Sequence, residues 1–297
     1  MSIERYLHIA QGDIAKYLVG IGGVKDTMGN IIVRKGQPRK AVNAHLDFVA
    51  VWESQRESHR LTSKYSWTPH WSVHPVEKPI EKHIPDSVRY LHADDKVGIA
   101  ICLELLDTQQ DLLAVFTQGE ETGLVGSYGI DPKVFDNIAY CLTFDRQRSV
   151  DIVTSICGQP LASPTFAARA AHISQRLEAY GLPADPLAFA TRRLVPNCLN
   201  ISCGYYLPHT AQSCYVTKEV LETYTIGQKL LNELPLDEPA WWDFYTICCV
   251  CHKVMAEEPL VITTKSGITI GEAHSDCIFN KWKYGGPYGF MENYDTP

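Results

Sequence analysis

Two adjacent carboxylates, Glu120 and Glu121, stand in the run Phe116-Thr117-Gln118-Gly119-Glu120-Glu121-Thr122-Gly123-Leu124. The apolar residues before them, Leu112 to Phe116, read as a buried strand, so the pair lies just past a strand end. Inside a regular strand, neighbours point to opposite faces and two carboxylates could not share one task. Gly119 and Gly123 bracket the pair and permit a turn that brings both side chains to one place. Like charges held that close repel, and a bound metal ion offsets the repulsion. One glutamate would then bind the ion while the other takes a proton from the water it activates. A solvated acidic turn is the simpler alternative for a Glu-Glu pair taken alone.

Further residues of the same chemistry follow a fixed order along the chain. The segment Ala41–Val49 reads as a strand carrying His45 and Asp47, whose separation by two puts both side chains on one side. A carboxylate beside an imidazole fixes its tautomer and raises its basicity, the usual support for a metal-bound histidine. His-x-Asp is also a common buried hydrogen-bonded pair. Asp94 and Asp95 precede the apolar run Ile99–Leu106, which predicts a buried helix; either aspartate could cap it, or Asp94 could bridge two metal ions. Asp145 ends the strand Ile138–Phe144, and the segment Leu199–Thr210 predicts a strand running into a turn that presents His209. In this set one ion would take His45 and Asp145, the other Glu121 and His209, with Asp94 shared and Glu120 free to act as base. Histidine and carboxylate ligands without cysteine favour zinc, with cobalt or manganese as the other fits.

These residues need elements to hold them. Strands alternating with helices predict an α/β fold, a mixed, mostly parallel sheet flanked by helices on both faces, and such sheets collect their chemistry at the carboxyl ends of strands. An amphipathic helix is expected over residues 1–20, a turn at Asp26–Asn30 before the short strand Ile31–Val33, a helix over Pro164–Tyr180, and a closing helix over Val216–Leu234. Residues 50–90, rich in tryptophan, histidine and proline, read as a long excursion over the mouth of the site. His70 and His74 have helical spacing, but Pro69 and Pro75 argue against a helix there. Residues 236–297 read as a C-terminal extension with a hairpin at Leu260–Ile270. Cys248, Cys249, Cys251 and His252 within it lack a second ligand pair at zinc-finger spacing.

With 297 residues, 45% of them hydrophobic, the chain can bury a substantial core. A net charge of −7 and the lack of a basic run argue against a nucleic-acid partner. No apolar stretch reaches membrane-spanning length, and the first residues lack the pattern of a secretory signal. Ten irregularly spaced cysteines are then expected as reduced thiols in a cytoplasm.

The motifs Asp26-Thr27-Met28-Gly29-Asn30, Ala93-Asp94-Asp95-Lys96-Val97-Gly98, Gly119-Glu120-Glu121-Thr122-Gly123-Leu124-Val125-Gly126-Ser127 and Asn200-Ile201-Ser202-Cys203-Gly204-Tyr205-Tyr206-Leu207-Pro208-His209-Thr210 carry a resemblance. Over residues 20–235 the chain resembles the co-catalytic di-zinc exopeptidases, which include bacterial leucyl aminopeptidase, peptidase T and glutamyl aminopeptidases. That resemblance implies Glu120 as general base, Asp47 behind His45, Asp94 as the bridge, and a peptide or acyl-amino-acid substrate. Intervals too short for an inserted lid or dimerisation module imply one catalytic domain over 1–297. Two positions depart from the family: Ser213 stands where a glutamate is common, and Thr191-Arg192-Arg193-Leu194-Val195 replaces an acidic stretch. Aminopeptidase action is the leading expectation, with a deacylase, a carboxypeptidase or a non-catalytic peptide binder on the same scaffold as alternatives.

Overall fold

The computed structural model describes residues 3–9, 11–47, 88–90, 93–210, 213–244, 260–263 and 269–273. In chain order the elements are α1 (Ile3–Leu7), α2 (Gln11–Gly20), β1 (Val24–Lys25), β2 (Ile31–Lys35), β3 (Lys40–His45), β4 (Val88–Tyr90), α3 (Lys96–Thr108), β5 (Leu112–Thr117), α4 (Val125–Gly129) and β6 (Tyr140–Arg146). They continue with β7 (Asp151–Ile156), β8 (Gln159–Pro160), α5 (Pro164–Ser174), β9 (Leu177–Gly181), α6 (Asp185–Thr191), β10 (Asn197–Ser202), β11 (Tyr205–Tyr206), β12 (Cys214–Val216), α7 (Thr217–Glu233), β13 (Leu260–Thr263) and β14 (Thr269–Ala273).

The main sheet runs β1-β2-β5-β3-β6-β10-β7-β8, with β9 on the free side of β7. Its centre, β5-β3-β6-β10, is parallel; β2 joins β5 and β7 joins β10 antiparallel, and β1 and β8 pair antiparallel with β2 and β7 in turn. Strands buried on both faces read as largely apolar runs, and the central strands supply apolar residues to both faces of the sheet. Val42, Ala44, Phe116, Leu142 and Phe144 pack in one core with Ile99 and Leu103 of α3 and Val220 and Leu230 of α7. Ala41, Leu113, Val115 and Cys141 pack in the other with Phe135, Phe189 of α6 and Trp241. The mixed sheet between helices expected from the pattern is the fold of the chain.

Helix α3 delivers the aspartates. Asp95 caps it, its carboxylate accepting the Gly98 N–H at 3.0 Å. A Cβ on Gly98 would lie 2.1 Å from the Phe144 carbonyl oxygen, so only glycine lets the helix start abut the end of β6. At the other end the Lys35 ammonium donates to the Leu106 carbonyl at 2.8 Å, a cation against the negative pole of the helix.

Four expectations are corrected. The N-terminal helix is two helices, because Ile9 N–H closes a tight turn onto Tyr6 O after α1. The strand expected over Ala41–Val49 ends at His45, so Asp47 lies beyond it. The helix expected to Tyr180 stops at Ser174, where Gln175 turns left-handed at φ 57°. Arg176 follows, with its buried guanidinium donating to Ser202 O and, at 2.6 Å, to Thr223 Oγ1, and residues 177–181 pair parallel with β7. The C-terminal hairpin extends to Ala273 as β13 and β14.

Most of the 50–90 excursion, including His70 and His74, lies outside the described residues, as do Cys248, Cys249, Cys251 and His252. Of the excursion's end, Val88–Tyr90 pairs antiparallel with β12. The six described cysteines are free thiols, and no described helix is long and apolar enough to cross a membrane.

Candidate metal centre

The seven residues singled out by type and order come from separate elements and meet at the carboxyl ends of β3, β5 and β6. His45 is the last residue of β3, paired with Thr117 at the end of β5. Asp145 is the penultimate residue of β6. Asp94 precedes α3, and the Asp94–Asp95 peptide is cis. His209 sits on the loop between β11 and β12 with a left-handed backbone, φ 59°.

Their contacts form two groups joined by one carboxylate. His45 Nε2 lies 3.2 Å from Asp94 Oδ1 and 3.7 Å from Asp145 Oδ1. His209 Nε2 lies 3.2 Å from Asp94 Oδ2 and 2.7 Å from Glu121 Oε1. Each oxygen of Asp94 therefore faces a different imidazole. Glu120, His45 and Glu121 offer ligand atoms within 4.8 Å of one another, as do Asp94, Glu121 and His209. Asp95 also comes near His45 and Asp145, but its oxygens accept the Gly98 N–H and, at 3.0 Å, the His45 N–H. Asp95 is the cap, and Asp94 faces the cluster.

The glutamate turn is fastened at two levels. At its neck, Asn30 Oδ1 accepts the Gln118 N–H at 2.9 Å while Asn30 Nδ2 donates to Gly126 O at 3.0 Å and to Asp26 Oδ2 at 2.8 Å. Asp26 Oδ1 accepts the main-chain N–H groups of Met28 and Asn30, which explains the Asp26–Asn30 turn. A Cβ on Gly126 would fall 2.2 Å from Asn30 Oδ1, so the neck requires glycine. At the tip, Asp47 Oδ1 accepts from Gly119 N–H (2.8 Å) and Glu120 N–H (3.1 Å), and Asp47 Oδ2 from Glu121 N–H (3.1 Å). The Asp47 carboxylate makes no hydrogen bond to His45: its nearest oxygen is 3.8 Å from Nδ1, within ion-pair range, and Nδ1 meets the Asp47 main-chain oxygen at 2.9 Å. The strand ends before Asp47, so the two-residue parity of a strand does not apply to it.

Asn30 is fully buried, and alanine there would leave the Gln118 N–H and Gly126 C=O without partners. Asn30→Ala is expected to destabilise the protein by about 2–4 kcal/mol, seen as a lower denaturant midpoint at unchanged slope.

Three supporting residues carry no chemistry of their own that sequence would flag. Asn200 clamps the main chain of Asp145, accepting its N–H at 3.0 Å and donating to its carbonyl at 2.7 Å. Tyr205, buried, donates its hydroxyl to Asp145 Oδ1 at 3.2 Å. Ser213 Oγ accepts the Ala93 N–H at 3.0 Å, tying the His209 hairpin to the residue before Asp94. Ser213 is therefore a structural link. Arg192 is structural too: it donates to Ser127 O (3.1 Å) and Ile130 O (2.9 Å) behind the glutamate turn.

The electrostatics are those of a site that wants positive charge. Burial would depress the His45 imidazole, but Asp145, Asp94 and Asp95 around it outweigh burial and hold it well above the ordinary range. Hydrogen bonds to Asp94 and Glu121 raise His209 to about 10. Burial pushes Asp145 well up and Glu120 to about 8; His45 opposes both shifts. Asp94 goes down, since its bonds to His209 and His45 overcome burial. Among the described residues no lysine or arginine pairs with Asp94, Glu121 or Asp145; their ion-pair partners are imidazoles. The donor set of two imidazoles and three carboxylates fits a pair of divalent ions.

No protein-family model matches the chain, and no curated protein matches it in sequence. Solved structures do. An aminopeptidase, APDkam598, from the archaeon Desulfurococcus kamchatkensis superposes with a TM-score of 0.54 at 13% identity over 78% of this chain and 93% of that one. The aminopeptidase PepT from Bacillus cereus gives 0.52 at 14% identity, covering 78% and 96%. A tripeptidase from Staphylococcus aureus gives 0.53 at 12% identity, also over 78% and 96%. The chain has the fold of these peptidases. At such identities the likeness is one of architecture, and what this chain does rests on its own residues.

Proposed function

We propose that the protein is a metal-dependent exopeptidase, and specifically an aminopeptidase that uses two divalent ions, zinc in the first instance. The observation that carries this reading is the division of Asp94: one oxygen toward His45, whose ring also faces Asp145, the other toward His209, whose ring also faces Glu121. His45 and Asp145 would hold one ion, Glu121 and His209 the other, and Asp94 both. When bound, the ions supply an acidified water and a polarised substrate carbonyl.

The chain's own residues do the rest. Glu120 stands beside His45 and Glu121 on the fastened turn, where it takes a proton from the attacking water and hands it to the leaving amine. Tyr205 and Asn200 keep Asp145 in place, and Asp47 and Asn30 keep the turn from opening. A free α-amine next to the scissile bond is favoured because it brings positive charge to a site rich in carboxylates. The aminopeptidases and the tripeptidase of the same fold support that choice of substrate.

A panel of amino-acyl amides and N-blocked amides tests the reading. Metal-dependent cleavage confined to free-amine substrates is the expected result. Cleavage confined to blocked substrates would replace the aminopeptidase by a deacylase or carboxypeptidase.

Loading should also depend on pH. His209 holds its proton up to about 10 in the metal-free protein, while an ion needs the neutral ring. Its pKa is raised, so at pH 6–8 the ion held by His209 must displace a proton, and the affinity of that site is expected to climb with pH by up to about tenfold per unit. Cobalt titrations at pH 6, 7 and 8 check this; a pH-independent Kd would contradict it.

A further inference from the structure

The two ends of Asp47 do different jobs. Its main-chain carbonyl receives the Nδ1 edge of His45, and both oxygens of its carboxylate are taken by the successive N–H groups of Gly119, Glu120 and Glu121. The 3.8 Å between carboxylate and Nδ1 is beyond hydrogen-bond range. Three amides converging on one carboxylate form an anion-binding nest, and Gly119, with φ 77°, supplies the left-handed residue that aims them inward. These bonds are charge-assisted and the Asp47 side chain is only 14% exposed, so they hold the turn more firmly than neutral contacts would.

We infer that the Asp47 carboxylate is a positioning group for the Glu120–Glu121 turn, and through Glu121 for one ion of the pair, while the His45 ring makes its hydrogen bond to the Asp47 main chain. The role toward the ion rests on the two-ion reading above; the role toward the turn concerns the protein alone. No substitution at position 47 short of a backbone change removes the carbonyl that meets His45 Nδ1. The two ion sites should therefore respond unequally. In Asp47→Asn the amide keeps one oxygen for two of the N–H groups and turns an NH2 toward the third, or the reverse. In either orientation at least one amide of the turn loses its acceptor and faces a donor.

The first readout is amide hydrogen exchange on metal-free protein. Asp47→Asn is expected to speed exchange across residues 118–124 by about tenfold or more and to leave residues 40–45 unchanged. If the asparagine variant is recovered unfolded, Asp47→Ser serves in the same comparison. The second readout is cobalt binding, followed by its visible absorption, in two single-site backgrounds. In His45→Ala, which retains Glu121 and His209, adding Asp47→Asn should weaken cobalt about tenfold or more. In His209→Ala, which retains His45 and Asp145, it should change affinity less than about twofold, because the carbonyl still orients the ring. Unchanged exchange at 118–124, or a cobalt loss that falls on the His209→Ala background, would overturn the inference. Faster exchange at 118–124 with no cobalt bound even by the unsubstituted chain would instead sink the two-ion reading and leave Asp47 as the anchor of the turn.

Discussion

Glu120→Gln is expected to lower kcat by about 10²–10⁴-fold while the protein keeps its metal. The amide has the size and shape of the carboxylate but cannot take a proton from water or return one to an amine. Burial, then Asp185 and Glu121, push the Glu120 carboxyl up to about 8 against the pull of His45, which places its proton affinity in the range where a base can also serve as an acid. Bound ions would draw that value down toward neutrality. Turnover and metal content must be measured on the same preparation. A near-normal rate would remove Glu120 as the base, and a loss of metal would make it a ligand.

Asp94→Ala is expected to have the largest effect of any single change at the site. Its two oxygens face His45 and His209 at 3.2 Å each, so alanine takes one donor from both ion sites at once. His209→Ala takes a donor from one site only. The expected contrast is therefore near-complete loss of both ions and of turnover for Asp94→Ala, a drop of about 10³-fold or more, against loss of one ion for His209→Ala. Equal metal content in the two variants would show that Asp94 is not shared. Metal analysis after gel filtration in metal-free buffer separates these outcomes.

The candidate site residues were legible in the sequence because they are histidines and carboxylates at strand ends, which announce themselves by composition and order, and the structure brings them together. The central strands were legible for a similar reason, since burial on both faces leaves an apolar run such as Leu112–Phe116. Contacts made through the main chain were not. That Asp47 accepts from Gly119, Glu120 and Glu121 depends on β3 stopping at His45, and nothing in Leu46-Asp47-Phe48 marks the stop. Asn30, Asn200 and Ser213 act on backbone groups distant in sequence, which pairwise spacing cannot express. The Asx turn at Asp26 and the glycine at 126 were the available signals for the Asn30 clamp: a side chain that must approach a backbone closely needs a glycine opposite it. The helix expected to Tyr180 failed on tertiary grounds, because Arg176 turns inward to meet Ser202 and Thr223 and takes the chain into β9. Local periodicity from Pro164 onward carries no trace of those partners.

Native mass spectrometry of the purified chain, counting metal ions per molecule before and after addition of zinc, tests the central assignment most directly. The division of Asp94 between two imidazole–carboxylate pairs requires saturation at two ions per chain, falling to one in His209→Ala. Saturation at one ion, or none, in the unsubstituted chain would contradict the two-ion site.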